Sequence, residues 1–168
     1  MAISDQARAG VEKAIAENPG AVIDYVAAEH GVTPADVLTL LPEGQVQTIS
    51  GDKFIEVMDE LATWGEVTLI VTNEDVIFEC KASLSPGKEG RGMFNLHGKP
   101  MGGHFHMKNC ASISFVSRKL FTSDTHSVQF YNHKGYCMFK VYLGRDADGK
   151  LMDDQIAKYQ AYRDKMCG

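Results

Sequence analysis

The feature that most constrains the fold is a succession of strand-like runs between residues 67 and 143, joined by short turns. The runs are rich in branched and aromatic residues, and turn-forming stretches such as Asn73–Asp75 and His133–Gly135 separate them. A parallel crossover needs about a dozen residues or more, so connections this short join antiparallel neighbours. The sequence therefore predicts an antiparallel sheet built from hairpins.

Helical patterns precede and follow these strands. In the predicted helices, apolar residues recur at three- and four-residue spacing, which forms one stripe of an amphipathic helix. They cover Ser4–Asn18, Ala21–His30, a short segment from Thr33, Asp52–Trp64 with Asp52 as its N-cap, and Leu151–Met166. We expect a single α+β domain with a helical part over residues 1–64, an antiparallel sheet over 65–146 and a C-terminal helix over 147–168.

The composition excludes several classes of protein. A net charge of −5 argues against general binding to nucleic acid, which needs a basic face, and no lysine or arginine occurs between Ala14 and Asp52. No apolar run approaches the ~20 residues that span a bilayer, and the first residues show no secretory signal. The four cysteines form no CxxC pair, which favours a reducing compartment. We therefore expect a cytoplasmic protein with no nucleic-acid partner and no membrane insertion.

The stretch Gly90–Cys110 concentrates side chains that bind metals. His104 and His106 are two residues apart, so in a strand both side chains leave the same face. Imidazole and thioether groups are soft or borderline metal ligands. The stretch contains His97, His104, His106, Met93, Met101 and Met107. It predicts a metal or metal-cofactor site on a sheet, and the alternative is a glycine-rich hairpin with solvated histidines.

Two kinds of occupant fit these residues. A mononuclear zinc site would use His104 and His106 and needs at least one more ligand, for which His97 is the candidate on a neighbouring strand. A dianionic ligand with an apolar body would instead meet cations on one side of the sheet, where three lie at strand ends and one lies within a strand. Those cations are Arg118, Lys119, Lys140 and Arg145. The residues alone leave both occupants open.

The run GMFNLHGKPMGGHFHMKNCASISFVSRKLF, followed by SVQFYNHKGYCMFKVYLGRD, resembles the ChuX/HutX family of cytoplasmic haem-utilisation proteins. The FNL-x-GK, N-C and LGRD pieces are specific when taken together, and the similarity covers nearly the whole chain. The resemblance implies an α+β haem-carrier fold similar to one half of the larger two-repeat haem-trafficking proteins. It also implies a homodimer whose sheets pack together.

The resemblance further implies a role for individual residues. His104, just before the N-C pair, matches the histidine proposed as the axial ligand of the haem iron. Thr72 stands where some members have a histidine, and Met93 stands where others have an aromatic residue. Met93, His97 or His106 would then supply a second donor, or the iron is five-coordinate.

Haem also needs an apolar slot, and cations suit its two propionates. The candidate cations are Lys99, Arg118, Lys119, Lys140 and Arg145. The loop Ser83–Gly92 is expected to cover the site. We expect a protein with no turnover of its own that binds haem as cargo and passes it to a haem-using or haem-degrading enzyme. Haem degradation by the chain itself is the alternative.

Overall fold

The structure is a computed structural model, and it describes residues 3–168. Within that range the chain forms five α-helices and nine β-strands. The helices are α1 (Asp5–Glu17), α2 (Ile23–His30), α3 (Pro34–Leu38), α4 (Phe54–Leu61) and α5 (Asp153–Cys167). The strands are β1 (Val46–Ser50), β2 (Glu66–Thr72), β3 (Ile77–Ser83), β4 (Gly87–Gly90), β5 (Met93–Leu96), β6 (Gly103–Phe105), β7 (Cys110–Leu120), β8 (Ser123–Asn132) and β9 (Cys137–Leu143). No helix in this range has the length and apolar composition needed to cross a membrane.

Six strands form one antiparallel sheet in the order β1-β7-β8-β9-β2-β3. The long strands β7 and β8 pair from Cys110↔Asn132 to Leu120↔Ser123, so they form its central hairpin. The strands β4, β5 and β6 form a second antiparallel sheet, which we term the small sheet. The predicted α+β class, with hairpins between helical segments, is confirmed.

The large sheet is covered on both faces. One face, which we term the α5 face, packs against α4, α5 and the small sheet. Its buried strand residues are Val67, Leu69, Ile113, Phe115, Val128, Phe130, Phe139, Val141 and Leu143. On the opposite face, which we term the α2 face, Val116 and Tyr131 pack against α1, α2 and α3. The helical start and the C-terminal helix therefore lie on opposite sides of the sheet.

Local signals define the N-terminal helices as the sequence predicts. The hydroxyl of Ser4 accepts a hydrogen bond from the backbone N–H of Ala7 at 3.2 Å and caps α1. Gly31 ends α2 with a left-handed φ of 64°. Thr33 and Asp36 form a capping box at α3, in which each side chain accepts from the other's backbone N–H, at 3.2 and 2.9 Å.

The stretch between α3 and α4 differs from the prediction of a wholly helical start. Residues 46–50 form β1, which pairs with β7 through Val46↔Val116. Five residues of mixed polarity give no clear strand pattern, and the pairing partner is distant in sequence. The predicted cap is also wrong, because the backbone N–H of Asp52 donates to Ser50 Oγ at 3.3 Å and α4 begins only at Phe54.

The segment Ser83–Gly92, predicted as a covering loop, contains the strand β4. This strand pairs with β5, and the residues Arg91 and Gly92 form the tight turn between them with φ values of 54° and 79°. The segment is rich in glycine and lacks β-branched residues, so its local pattern indicates a loop. Its pairing with β5 makes it one of the two edge strands of the small sheet.

Candidate functional site

The small sheet turns one apolar face to the core and one polar face outward. Phe94 and Phe105 point inward, where their ring centroids lie 5.8 and 6.1 Å from that of Phe54. Asn95 and His104 are register partners in β5 and β6, and alternation along a strand sends both to the other side. The outer face of the small sheet therefore carries His104, whereas His106 lies beyond the end of β6, so the predicted strand face shared by the two histidines does not form.

His104 is exposed, and one of its ring nitrogens is hydrogen-bonded to a neighbouring side chain. Its Nδ1 lies 2.6 Å from the side-chain oxygen of Asn95. The amide nitrogen of Asn95 donates to three backbone carbonyls, those of Lys88 at 3.2 Å, Gly90 at 3.1 Å and Met93 at 3.1 Å. Over residues 3–168 no protein group hydrogen-bonds Nε2 of His104. The arrangement fixes the ring and leaves a nitrogen open to an external ligand.

The other predicted ligands are distributed around this histidine. Met93 is half-buried in β5 and shares the outer face with Asn95, two residues away. His97 lies in the connection between β5 and β6, and His106 follows β6; both are exposed. Met93 is thus the alternative donor that the fold places on the same sheet face as His104.

A zinc site receives no support from this geometry. Tetrahedral zinc needs a third protein ligand beside His104 and His106. In the part of the chain that the structure describes, no three His, Cys, Asp or Glu side chains come close enough to hold a metal ion.

The cysteines are free thiols, and two of them are unsuited to metal binding. Burial raises the pKa of Cys110 to about 11 and that of Cys137 to about 12. Both are therefore protonated at neutral pH, whereas the thiolate is the form that binds metals and attacks as a nucleophile.

Two of the predicted propionate cations face the N-terminal helices. Arg118 is buried, and its guanidinium donates to the carbonyls of Pro19 at 2.7 Å and Ala21 at 2.9 Å. Burial lowers its pKa. Lys140 is also buried, and its ammonium lies 2.5 Å from the carboxylate of Asp24. These two side chains tie the helical start to the α2 face of the sheet.

The remaining cations lie at two separate places. Lys119 pairs with Asp124 at 3.2 Å, and Arg145 donates to the carbonyl of Asp124 at 2.6 Å. They cluster at the end of β7 that is far from the small sheet. Lys99, by contrast, is exposed in the connection between β5 and β6, in the same hairpin as His104. Lys88 of β4 is the register partner of Asn95. It adds a cation beside His104, and the prediction of a loop over residues 83–92 gives no indication of it.

A groove on the α2 face collects the apolar and cationic side chains of that side. Its volume is about 160 Å³, and Tyr25, Ile70, Phe121, Arg118 and Lys140 are among its lining residues. Ligand pockets usually measure about 300 Å³ or more. The large sheet separates this groove from His104, so one flat ligand does not contact both within a single chain.

A family model and a characterised relative both indicate the same protein family. Residues 47–162 match the family model described as Haem utilisation ChuX/HutX. The intracellular heme transport protein HutX of Vibrio cholerae is 32% identical to this chain over 153 residues, which are 90% of this chain and 79% of that protein.

Solved structures give the same result for the fold. The structure of the heme-binding protein ChuX is 32% identical, with a TM-score of 0.84, and the match covers 92% of this chain and 97% of that one. The heme-binding protein PhuS of Pseudomonas aeruginosa, 14% identical with a TM-score of 0.76, matches 96% of this chain but only 48% of its own. The likeness to PhuS concerns the fold alone, and the predicted similarity to one half of a larger protein is confirmed.

Proposed function

This chain belongs to the ChuX/HutX family of haem-utilisation proteins, and we propose that it binds haem and carries it inside the cell to a haem-using or haem-degrading enzyme. The observation that carries the proposal is His104, an exposed imidazole with one nitrogen held by Asn95 and the other open. Neutral imidazole is a common axial ligand of haem iron. The relatives HutX and ChuX are named as transport and binding proteins, which favours a carrier without turnover.

The outer face of the small sheet offers the groups that haem needs. His104 would bind the iron, and Met93 on the same face is the first alternative donor, before the more peripheral His97 and His106. For the propionates we favour Lys99, with Lys88 on the neighbouring strand, since both ammonium groups are exposed.

The other predicted cations are weaker candidates for the propionates. Arg118 and Lys140 already bond Pro19, Ala21 and Asp24 on the opposite face of the large sheet. Lys119 and Arg145 lie at the far end of β7. Lys99 is therefore a stronger candidate than any of these four.

An open site of this kind suits a protein that must release its cargo. One axial bond on an exposed sheet face leaves much of a porphyrin unenclosed, so the free energy of binding stays well short of its upper limit. We expect a dissociation constant in the micromolar to nanomolar range, roughly 8–12 kcal/mol of binding free energy. Transfer to an enzyme with an enclosed site would then be favourable.

We also propose a homodimer, on the evidence of the β2–β3 hairpin. At its tip, the solvent-exposed fraction is 40% for Val71, 53% for Val76, 58% for Ile77 and 60% for Phe78. Phe78 pairs with Val71 on one face of the sheet, while Ile77 points to the other. Because β3 is an edge strand, this tip combines open backbone groups with an apolar surface. A second copy of the chain would cover both.

The proposed function predicts saturable haem binding that depends on His104. Titration of the protein with haemin should give a Soret band that saturates near one haem per chain, and His104→Ala should weaken or shift it, because the mutation removes the axial donor. His133→Ala is the matched control, since His133 is an exposed histidine outside the small sheet. A parent protein without a saturable band would rule out the carrier role. A band unchanged in His104→Ala would move the ligand to Met93, His97 or His106.

A further inference from the structure

The side-chain amide of Asn95 has only one orientation that its neighbours allow. One end of the amide lies within 3.2 Å of the backbone carbonyl oxygens of Lys88, Gly90 and Met93. Carbonyl oxygens only accept hydrogen bonds, so the NH₂ group must face them. The opposite orientation would bring the amide oxygen against three other oxygens and lose all three hydrogen bonds.

The orientation of Asn95 decides the protonation of the ring beside it. Its side-chain oxygen faces His104 and lies 2.6 Å from Nδ1. An amide oxygen can only accept, so Nδ1 must carry the proton in this bond. A neutral imidazole protonated at Nδ1 has its lone pair on Nε2.

Resting on the proposed function, we propose that Asn95 is a positioning residue which holds His104 in the Nδ1–H tautomer and so presents a bare Nε2 to the haem iron. Histidines that bind metals usually donate their other N–H to a protein group, which fixes the ring and makes the ligand more basic. Asn95 performs this task from β5, while its NH₂ group binds the turn Gly90–Met93. His104 is thereby linked to β5 directly and to β4 through the side chain of Asn95.

The acceptor is a neutral amide and not a carboxylate. It fixes the ring with less negative charge than Asp or Glu would supply, so it raises the basicity of Nε2 less. The bond to the iron would then be well oriented but only moderately strengthened, which suits a protein that must release its haem.

The tautomer is tested first in the haem-free protein. Long-range ¹⁵N–¹H correlation spectra of the imidazole rings, at a pH where His104 is neutral, should show His104 with the proton on Nδ1, and His104→Ala assigns the signal. Asn95→Ala removes the acceptor and should give a mixture of tautomers. Asn95→Asp keeps the acceptor but loses the donors to the turn, so it should keep the Nδ1–H form. If Nε2 carries the proton in the parent protein, the inference is overturned.

Haem binding supplies the second readout. Asn95→Ala should weaken haemin binding about 10- to 100-fold, as loss of such a partner does at other metal sites. Asn95→Asp keeps the acceptor for His104 but sets a carboxylate oxygen against the turn carbonyls, so its affinity should fall by less than that of Asn95→Ala. Equal losses in both variants would mean that Asn95 only braces the turn, and they would overturn the positioning role.

The variants distinguish an error in the proposed ligand, His104, from an error in the role of Asn95. If His104→Ala binds haemin like the parent, both the proposed ligand and the role of Asn95 in haem binding are wrong, whatever tautomer the free protein shows. If His104→Ala abolishes binding while Asn95→Ala leaves both the tautomer and the affinity unchanged, the ligand is right and the role of Asn95 is wrong.

Discussion

Gly87 lies in β4 directly against the ring of Phe94. A methyl group at this position would lie 2.3 Å from Cζ of Phe94 and 3.0 Å from the carbonyl oxygen of Asn95. Phe94 is buried and packs on Phe54, so the ring cannot move aside without disturbing the core. The absence of a side chain at Gly87 is therefore what lets β4 pair with β5 while the ring of Phe94 stays in the core.

Gly87→Ala should consequently lower the free energy of unfolding by about 1–3 kcal/mol, as overpacking usually does. The measurement is equilibrium denaturation in urea. Gly102→Ala is the matched control, because a methyl group there meets nothing closer than the carbonyl oxygen of Leu96 at 3.8 Å. Equal stability of Gly87→Ala and the parent would contradict the packing argument.

Among the elements, the β2–β3 hairpin carries the prediction of the dimer. Phe78→Glu places a charge in the apolar tip, and burying that charge in an interface would be costly. The parent should sediment with twice the 18.5 kDa mass of one chain, and Phe78→Glu should sediment as a monomer at micromolar concentration. Tyr136→Glu serves as the control, since Tyr136 is 56% exposed in a different turn. A monomeric parent, or a Phe78→Glu variant that remains dimeric, would argue against this interface.

For the molecule as a whole, His126 couples stability to pH. It is half-buried between β8 and α5, where its Nδ1 lies 2.8 Å from the hydroxyl of Ser117 and its ring 5.1 Å from that of Tyr159. Burial lowers its pKa below the usual 6.5, and the charge of Arg163 lowers it further. At a pH between the two pKa values, the unfolded chain therefore binds a proton at His126 that the folded protein does not bind.

The free energy of unfolding should then be fully retained above a pH of about 6.5 and should fall as the pH drops from there toward the lowered pKa of the folded state. Denaturation at about pH 8 and about pH 5 should show a smaller acid-induced loss in His126→Gln than in the parent. His133→Gln tests an exposed histidine and should behave like the parent. An acid-induced loss that is the same in His126→Gln and the parent would remove His126 as the cause.

The arrangement of the elements follows in large part from local patterns. The helices around Thr33 and the hairpins on either side of Asn73–Asp75 and His133–Gly135 form where the sequence predicts them. Their caps, turns and alternation are encoded within a few residues. The strands β1 and β4 are the exceptions, because both are short and are stabilised by partners that their own sequences do not reveal.

The sequence by itself determined the antiparallel α+β fold, the family resemblance and the position of His104 in a strand. Only the tertiary structure decided which groups meet. The register of β5 and β6 brings Asn95 against His104. On the opposite face of the large sheet, Arg118 bonds the carbonyl of Ala21 and Lys140 bonds Asp24, so neither cation is free for a ligand. Local patterns determine which way a side chain points within its own element. Register and packing between distant segments determine what it meets, and these depend on the whole chain folding at once.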